Sequence, residues 1–310
     1  MPTRRQEHPG AASEAIRHLF PLDPAGRPAQ LLGVFPHALY LRLAAASGPA
    51  VIALVTSDGI RPPNAVTIAA RAADSPWSTP DSAALVGPDW IAAPGVRVQI
   101  TRWWSPRRSA PPPEPAAAWQ RRVELVRALR TATAGPGIGP LPEPLAGELA
   151  LLTAAGRLLD AAQALRAAGG LLGRGQGLTP SGDDLVAGFL VTLRAHGTDP
   201  GLHALTDQLA AWIDQRAPAS TTALSAALLG HAGRGQALDE VVDLLDAVAG
   251  RAGPVGPRLE RLLAVGHQSG RDLAHGVAAG LGVTLARPWP NPEECHRDVS
   301  ELRSPGRERP

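Results

Sequence analysis

The sequence predicts an α+β protein, in which a β-rich N-terminal part precedes an all-α C-terminal helical domain. Three observations predict this class. Short apolar runs separated by turn residues lie between residues 30 and 101, as is typical of strands. A proline-rich stretch at 111–115 follows, and such stretches form stiff connectors. Beyond it, apolar residues recur at helical spacing.

Four apolar runs predict the strands of the N-terminal part. They lie at residues 38–43, 50–56, 65–69 and 96–101. Turn signals, Ser57-Asp58-Gly59 and Pro62-Pro63-Asn64, separate the second run from the third. The last run alternates strictly between apolar and polar residues, as a half-buried strand does. Trp103 and Trp104 follow it directly, and we expect them to close the edge of this core.

The helical domain is predicted from residue 116 to residue 286. Helices are expected at 116–132, 145–168, 183–196, 201–216, 220–230, 238–250, 257–265 and 270–282. Both ends of the chain are rich in polar residues and proline, a composition that favours disorder. The predicted organisation is therefore a flexible N-terminal segment (1–28), a β-rich domain (29–110), the helical domain (116–286) and a disordered tail (287–310).

All 30 basic residues of the 310-residue chain are arginines, and the sequence contains no lysine. This excludes a lysine Schiff base, a pyridoxal-phosphate anchor and a P-loop lysine. An anion would have to be held by arginine, hydroxyl groups, helix N-termini or a metal ion. The single cysteine, Cys295, excludes a disulfide framework or a cysteine metal site within one chain.

The charge and hydropathy patterns predict neither a nucleic-acid partner nor a membrane partner. The 28 acidic residues leave a formal charge of only +2, whereas nucleic-acid-binding proteins concentrate a larger excess. One cluster of arginines is denser than the rest, and we expect it to be solvated surface: Arg102, Arg107, Arg108, Arg121 and Arg122. No apolar run approaches the length of a membrane span or a signal peptide, so a cytoplasmic location is expected.

The most informative segment runs from residue 173 to residue 184 and reads Gly-Arg-Gly-Gln-Gly-Leu-Thr-Pro-Ser-Gly-Asp-Asp. Its glycines allow positive φ angles or close approach to a ligand. Thr179 or Ser181 can cap the following helix, and Pro180 suits its first position. Free N–H groups at the helix N-terminus form a ready anion site. Arg174 can add a bidentate contact to phosphate or carboxylate.

A purely structural interpretation of this segment stays open. Ser181 and Asp184 fit a capping box with Asp in place of Glu, and acidic residues are ordinary in a first helical turn. Asp183 and Asp184 lie about 100° apart around a helix and cannot share one face. One carboxylate can therefore cap while the other binds Mg²⁺ or a substrate N–H group, or acts as a base.

A hydroxyl cluster supplies further candidates. Ser220, Thr221 and Thr222 precede an apolar helix, and Arg216 stands four residues before them. Hydroxyl groups and an arginine suit a phosphate site, although an N-cap with spare hydroxyl groups explains the same pattern.

Two histidines are candidates for a donor that stabilises charge developing on a substrate oxygen, His231 and His267. His267 lies beside Ser269, and Asp272 can either orient it or supply charge to the first turn of the next helix. A hydrogen-bonded structural role is the alternative for each histidine.

Two common enzyme motifs are excluded. A nucleophile elbow needs Gly-x-Ser-x-Gly, but the segment 266–270 has Gln268 at the nucleophile position. The glycines at 173–177 do not have the Gly-x-Gly-x-x-Gly spacing of a dinucleotide site and follow a helical stretch. The tetrapeptide Gly-Arg-Gly-Gln occurs at 173–176 and again at 233–236, too short a repeat to predict a duplicated domain.

These motifs resemble a bacterial family long listed as a domain of unknown function, whose named member is the AllH-type subunit of oxamate carbamoyltransferase. The Gly-rich loop with Leu-Thr-Pro-Ser-Gly-Asp-Asp at 178–184 looks like the family signature. The segments 221–225, 231–235 and 263–272 are similar to its Thr/Ser helix, its His-Ala-x-x-Gly end and its Gly-His-Ser-Ser-Gly segment. Gln176 and Gln268 depart from the family pattern.

The resemblance implies a subunit that works with partner subunits in the breakdown of allantoin, a product of purine catabolism. The reaction transfers a carbamoyl group between oxalurate and phosphate, and it gives oxamate and carbamoyl phosphate. The implied substrates are therefore small anions. No cofactor is implied, although Asp183 and Asp184 are candidate ligands for Mg²⁺.

From these observations we predict one site around the loop 173–184. The expected catalytic residues are Asp183, Asp184 and His267. The expected substrate-binding residues are Arg174, Gly175, Gly177, Thr179, Ser181, Gly182, Thr221, Thr222 and Ser269. The alternative hypotheses are a non-catalytic anion-binding or scaffold subunit and an Mg²⁺-dependent hydrolase.

Overall fold

The computed structural model describes residues 6–43, 50–74, 76–77, 83–134 and 140–285. Within these residues the strands are β1 (Gln6–Ser13), β2 (Arg27–Val34), β3 (Ala38–Leu43), β4 (Ala50–Val55), β5 (Ala65–Ile68), β6 (Ala84–Val86), β7 (Trp90–Ala93) and β8 (Val96–Trp104). They form a closed barrel in the order β1-β5-β4-β3-β2-β6-β7-β8. The α+β class is confirmed, and the closure into a barrel is a feature that the sequence did not predict.

The helical part begins directly after the proline-rich connector. Its helices are α1 (Pro115–Ala134), α2 (Leu145–Leu158), α3 (Ala161–Leu171), α4 (Ser181–His196), α5 (Pro200–Ser220), α6 (Ala223–Gly233), α7 (Asp239–Val248), α8 (Val255–Leu263) and α9 (Ser269–Thr284). No helix among the described residues is long and apolar enough to cross a membrane.

The N-terminal boundary differs from the prediction. The segment 1–28, expected to be flexible, contributes β1, which pairs in parallel with β8 and antiparallel with β5. Sequence reasoning missed this strand because it is mostly polar and contains Pro9 and Gly10. Ala12 is nevertheless fully buried in the barrel core. The tail 287–310, with Cys295, lies outside the described residues.

The barrel contains four strands at the positions predicted from apolar runs (β3, β4, β5 and β8) and four that were missed. β6 and β7 have only three and four residues, too short for an alternating pattern. β8 extends three residues beyond the predicted end and includes both tryptophans. Trp103 packs partly against the barrel core and meets Phe20 edge-on, with ring centroids 5.2 Å apart.

The helix expected over 145–168 is two helices. Leu159 ends α2 in the left-handed region with φ of 57°, and Asp160 caps α3 by accepting from the N–H of Gln163 at 2.9 Å. The periodicity continues across the break because both helices present apolar residues to the same core. Leu152, Ala155, Ala164 and Leu171 are all buried in it.

Barrel and helices meet at an apolar contact flanked by ion pairs. Val51 of β4 is buried against Leu224 and Ala227 of α6. Arg61 pairs with Asp239 of α7 at 2.5 Å. The barrel is therefore docked on the N-terminal end of α7 and on one face of α6.

The arginine cluster that we expected to be solvated is partly structural. Arg107 pairs with Asp243 at 2.6 Å and with Asp246 at 3.2 Å. Arg121 donates from Nε to the carbonyl of Val248 at 2.8 Å. These contacts join the connector and α1 to α7. Arg107 is exposed, as expected, although it is ion-paired, whereas Arg121 is partly buried.

Helices α4 and α9 cross with their backbones in close contact. A Cβ at Gly276 would lie 2.2 Å from the carbonyl oxygen of Leu185, and one at Gly188 would lie 2.3 Å from that of Leu273. Backbones this close leave no room for side chains. The crossing sets the distance between the N-terminal ends of the two helices, where the predicted site residues lie.

The substitution Gly276→Ala is expected to lower the free energy of unfolding by about 1–3 kcal/mol, because the two backbones must separate. Gly256→Ala is the matched control, since a Cβ on Gly256 of α8 has no heavy atom within 4 Å. It should be neutral or stabilising by up to about 1 kcal/mol. Urea unfolding of both variants measures the difference, and equal stabilities would contradict the close crossing.

Candidate functional site

The loop between α3 and α4 folds back over the start of α4. Gly173 has φ of 72° and Gly175 has φ of 125°, both in the region that favours glycine. A Cβ at Gly173 would lie 2.1 Å from the carbonyl oxygen of Ser220. The N–H of Gly182 donates to the carbonyl of Arg174 at 2.8 Å and closes the loop. The glycines therefore make possible a compact turn against both α4 and α5.

The predicted capping box does not form. Pro180 is the N-cap of α4, with no side-chain cap hydrogen bond, and Ser181 is the first helical residue. The N–H groups of Asp183 and Asp184 both donate to the carbonyl of Pro180, at 3.0 and 3.2 Å. The side chains of Ser181 and Asp184 therefore do not cap α4 and are directed to other partners.

A row of backbone N–H groups is left without acceptors. Within the described part of the chain, those of residues 175–179 and of Ser181 make no hydrogen bond. The Arg174 side chain is exposed and donates from Nε to the carbonyl of Gly170 at 2.5 Å. The N–H groups at the other end of its guanidinium remain available. Free N–H groups and an arginine therefore lie beside the positive end of a 16-residue helix, where anions are generally favoured.

Asp183 is a buried acceptor that joins three segments. Its Oδ1 accepts from the N–H of Gly173 at 2.8 Å. Its Oδ2 accepts from the hydroxyl of Ser225 at 2.6 Å and from that of Thr221 in a shorter hydrogen bond. Burial raises the pKa of Asp183, while these three donors lower it. The carboxyl is fully engaged within the protein and ties the loop and α6 to α4.

Thr222 anchors the loop from the other side. Its hydroxyl accepts from the N–H of Ser225 at 3.1 Å, as an N-cap of α6, and donates to the carbonyl of Leu178 at 2.5 Å. The structural interpretation of the hydroxyl cluster therefore holds for Thr222. Arg216 is not part of this cluster, because its guanidinium lies over the ring of Trp212 at 5.7 Å.

Asp184 points the other way, toward α9, as the 100° offset predicts. It is buried, and its Oδ2 has no hydrogen-bond partner among the described residues. Burial raises the pKa of Asp184 well above its usual value, and the carboxyl groups of Asp272 and Asp183 raise it further. Hydroxyl groups of Ser269 and Thr179 act in the opposite direction, and these two hydroxyls bond to each other at 2.9 Å.

Asp272 of α9 is the counterpart of Asp184. It is fully buried, and its Oδ2 also lacks a partner among the described residues. Its Oδ1 accepts from Nε of Arg271 at 2.8 Å. Burial raises the pKa of Asp272, while the Ser181 hydroxyl and Arg271 lower it. Each carboxyl thus interacts with the first serine of the opposite helix.

Sequence reasoning left Ser225 out of the site and gave Asp272 a different role. A repeat identifies Asp272 as an equivalent of Asp184: Ser-Gly-x-Asp occurs at 181–184 and at 269–272, with a glycine seven positions after each serine. The two copies start α4 and α9 and meet across the close crossing of these helices.

The predicted histidines are not brought to the loop. His267 is exposed in the turn before α9 and makes no hydrogen bond among the described residues. The carboxyl of Asp272 is directed to Arg271 and does not orient His267. His231 is buried near the end of α6, where its Nδ1 lies 2.8 Å from Oε1 of Gln236.

The two adjacent carboxyl groups that were candidate ligands for Mg²⁺ point in different directions. Asp183 and Asp184 direct their carboxyl groups to different helices, and all three hydrogen bonds to Asp183 come from protein donors. No cluster of three or more His, Cys, Asp or Glu side chains suited to a metal ion occurs in the described ranges.

Asp183→Ala is expected to lower the free energy of unfolding by about 2–4 kcal/mol, because it leaves buried donors without an acceptor. Asp207→Ala is the matched control, since this carboxylate is exposed and pairs with Arg194 on the surface. An exposed pair contributes about 0–1 kcal/mol. Chemical unfolding of the two variants measures the contrast. A loss of unfolding free energy in Asp183→Ala no greater than in the control would show that Asp183 does not hold the three segments together.

The buried carboxyls predict a specific pH dependence of stability. The folded pKa values of Asp184 and Asp272 are raised, so the folded state binds more protons than the unfolded state between the ordinary value of about 4 and the folded values. Stability should therefore fall as the pH rises through that window. Asp184→Asn and Asp272→Asn each remove one such group and should flatten the decline.

Urea unfolding across pH 4–8 measures this effect. Asp207→Asn is the control and should leave the pH profile unchanged in shape. Parallel profiles for the wild type and both buried variants would refute the interpretation.

Comparison with known proteins gives a match to the segment that contains the residues described above. No curated protein and no solved structure matches this chain. One family model does, and the matched residues start at the end of α3 and include the loop, Asp183, Asp184, the Thr221 hydroxyl and Asp272. Residues 171–281 match the family described as oxamate carbamoyltransferase subunit AllH, which confirms the resemblance predicted from the motifs.

Proposed function

We propose that this chain is a subunit of a carbamoyltransferase that acts on small anionic substrates, namely oxamate or oxalurate, carbamoyl phosphate and phosphate. The observation that carries the proposal is the row of free N–H groups at 175–181 with Arg174 beside it. This row lies within the segment matched by the subunit's family model. Phosphate or carboxylate oxygens would accept from these donors at the start of α4.

The reaction would exchange one bond to the carbamoyl carbon for another. A phosphate oxygen forms the new bond to this carbon, the bond to the nitrogen of the oxamate leaving group breaks, and that nitrogen takes up a proton. Backbone N–H groups and Arg174 suit the phosphate, because hydrogen bonds to a charged acceptor are the stronger kind. In this proposal Gly175, Gly177, Thr179, Ser181 and Gly182 shape the anion site.

The remaining predicted residues take supporting roles in the proposal. Thr221 and Thr222 hold the site in place through Asp183 and Leu178. Asp184 is the better candidate for a direct contact with the carbamoyl group, because its Oδ2 has no hydrogen-bond partner among the residues that the structure describes. His267 stays a predicted catalytic residue, available as an exposed side chain two positions before Ser269.

We further propose that other subunits complete the enzyme, since the matched family is named for a subunit. The setting would be allantoin degradation, a part of purine catabolism, in the cytoplasm. No cofactor is required by this proposal. Mg²⁺ at Asp183 and Asp184 is the less favoured version, because Asp183 is already fully engaged.

A second candidate function is a non-catalytic anion-binding or scaffold subunit. It is favoured by the burial of the carboxyls: Asp183 has only protein partners, and Asp184 is only 6% exposed. In that case the anion would stabilise the loop, and the chemistry would take place on a partner subunit.

Arg174→Ala is expected to weaken binding of inorganic phosphate by roughly tenfold or more, since hydrogen bonds to charged groups contribute about 1.5–3 kcal/mol. Arg166→Ala on α3 is the matched control, an exposed arginine outside the loop that should bind phosphate like the wild type. Isothermal titration calorimetry measures both. Phosphate binding that is unchanged in Arg174→Ala would rule out the loop as the anion site.

Activity in the reconstituted complex then separates the two candidates. Asp184→Asn should abolish carbamoyl transfer while phosphate still binds if this chain is catalytic. Full activity of Asp184→Asn, with the loop intact, would favour the non-catalytic subunit.

A further inference from the structure

A second concave site lies between the barrel and the helices, apart from the loop 173–184. It is a cavity of about 210 Å³, open on one side. Its apolar wall comes from both parts of the molecule: Ile16, Leu19, Val51, Ala226 and Ala227. Its polar groups are His18, Asp214, His231 and Arg234. Apolar walls with a few convergent polar groups are typical of small-molecule sites.

His231 is the buried polar group of this cavity. The side chain is only 4% exposed, and its Nδ1 is held by Gln236 at 2.8 Å. Nε2 makes no hydrogen bond within the described residues and is the ring atom left to face the cavity. Burial lowers the pKa of His231 to about 4, so the ring is neutral at pH 7. The shorter contact of Nδ1, to an amide oxygen that can only accept, assigns the ring proton to Nδ1, so Nε2 is an acceptor.

Asp214 and Arg234 converge above Gly230. A terminal nitrogen of Arg234 also lies 3.3 Å from Nδ1 of His231, which carries the ring proton and therefore accepts no hydrogen bond from it. A Cβ at Gly230 would lie 3.1 Å from Oδ1 of Asp214 and 3.6 Å from the nearer terminal nitrogen of Arg234. The two side chains nevertheless form no ion pair within 4 Å, and neither belongs to any other ion pair among the described residues. The absence of a side chain on Gly230 keeps a gap open between a carboxylate and a guanidinium.

The unused groups define the chemistry of an occupant. Arg234 offers a planar pair of donors that matches a carboxylate. Asp214 and Nε2 of His231 offer acceptors, which match N–H groups. A cavity of about 210 Å³ is smaller than the roughly 300–1,000 Å³ of typical ligand pockets, which favours a small occupant.

We propose that the cavity between the barrel and α5–α6 is a binding site for a small carboxylate that also carries N–H donors, such as an α-amide acid or an amino acid. Arg234 binds the carboxylate, while Asp214 and Nε2 of His231 accept from the N–H groups. This site is built by the barrel and the helical part together, and it does not rest on the function proposed for the loop.

The polarity of the site predicts selectivity. A ligand with two carboxylates would place one of them against Asp214, where like charges repel. Oxamate should therefore bind more tightly than oxalate, which has nearly the same shape but no N–H group. Glycine tests the same arrangement with an ammonium group in place of the amide.

Calorimetric titration of the full chain with oxamate, oxalate and glycine tests the proposal. Arg234→Gln is expected to weaken oxamate or glycine binding by roughly tenfold to a hundredfold, and Asp214→Asn should reduce or reverse the preference for oxamate over oxalate. Arg216→Gln is the matched control on α5, because this arginine lies over Trp212 and does not line the cavity. Both cavity side chains are exposed, so the variants should keep the wild-type unfolding temperature.

Arg174→Ala separates this site from the loop. Binding that is lost in Arg234→Gln and kept in Arg174→Ala supports the cavity whether or not the loop binds phosphate. Binding that is lost only in Arg174→Ala places the ligand at the loop and overturns the proposal. The absence of binding of both oxamate and glycine to the wild-type chain overturns it as well.

Discussion

The carboxyl of Asp183 is the interaction on which the site geometry depends. It accepts from the N–H of Gly173 and from hydroxyl groups of Thr221 and Ser225, so one buried group connects the loop, the start of α6 and the first turn of α4. A buried carboxylate is costly unless its lone pairs are satisfied. Three donors offset this cost here, and the loop is consequently held with its other N–H groups facing outward.

The second constraint is the crossing of α4 and α9. Glycines at equivalent positions let the two backbones approach, and the first turns of both helices then meet. Asp184 interacts with Ser269, and Asp272 interacts with Ser181, so each helix provides a hydroxyl to the carboxyl of the other. The arrangement is close to a local two-fold relationship, and it explains why the same Ser-Gly-x-Asp pattern begins both helices.

The barrel takes part in the packing of the helical part. Its strand β4 packs on α6, and Arg61 and Arg107 fasten the barrel and the connector to α7. This docking closes one side of the cavity that contains His231 and Arg234. The helical part carries two separate polar arrangements, one at the starts of α4 and α9 and the other where α6 ends beside the barrel.

The sequence alone determined the α+β class, the positions of most helices, the family resemblance and the glycine-rich turn before α4. These features follow from local rules: periodicity, turn chemistry and the backbone freedom of glycine. It did not predict that β1 belongs to a barrel, because short and polar strands become recognisable only through their partners. Likewise, the sequence placed Asp183 and Asp184 about 100° apart, but only the tertiary structure decided that one is fully satisfied and the other faces Asp272. The physical reason is that burial and hydrogen-bond partners depend on segments about 40 to 90 residues away, which local patterns do not encode.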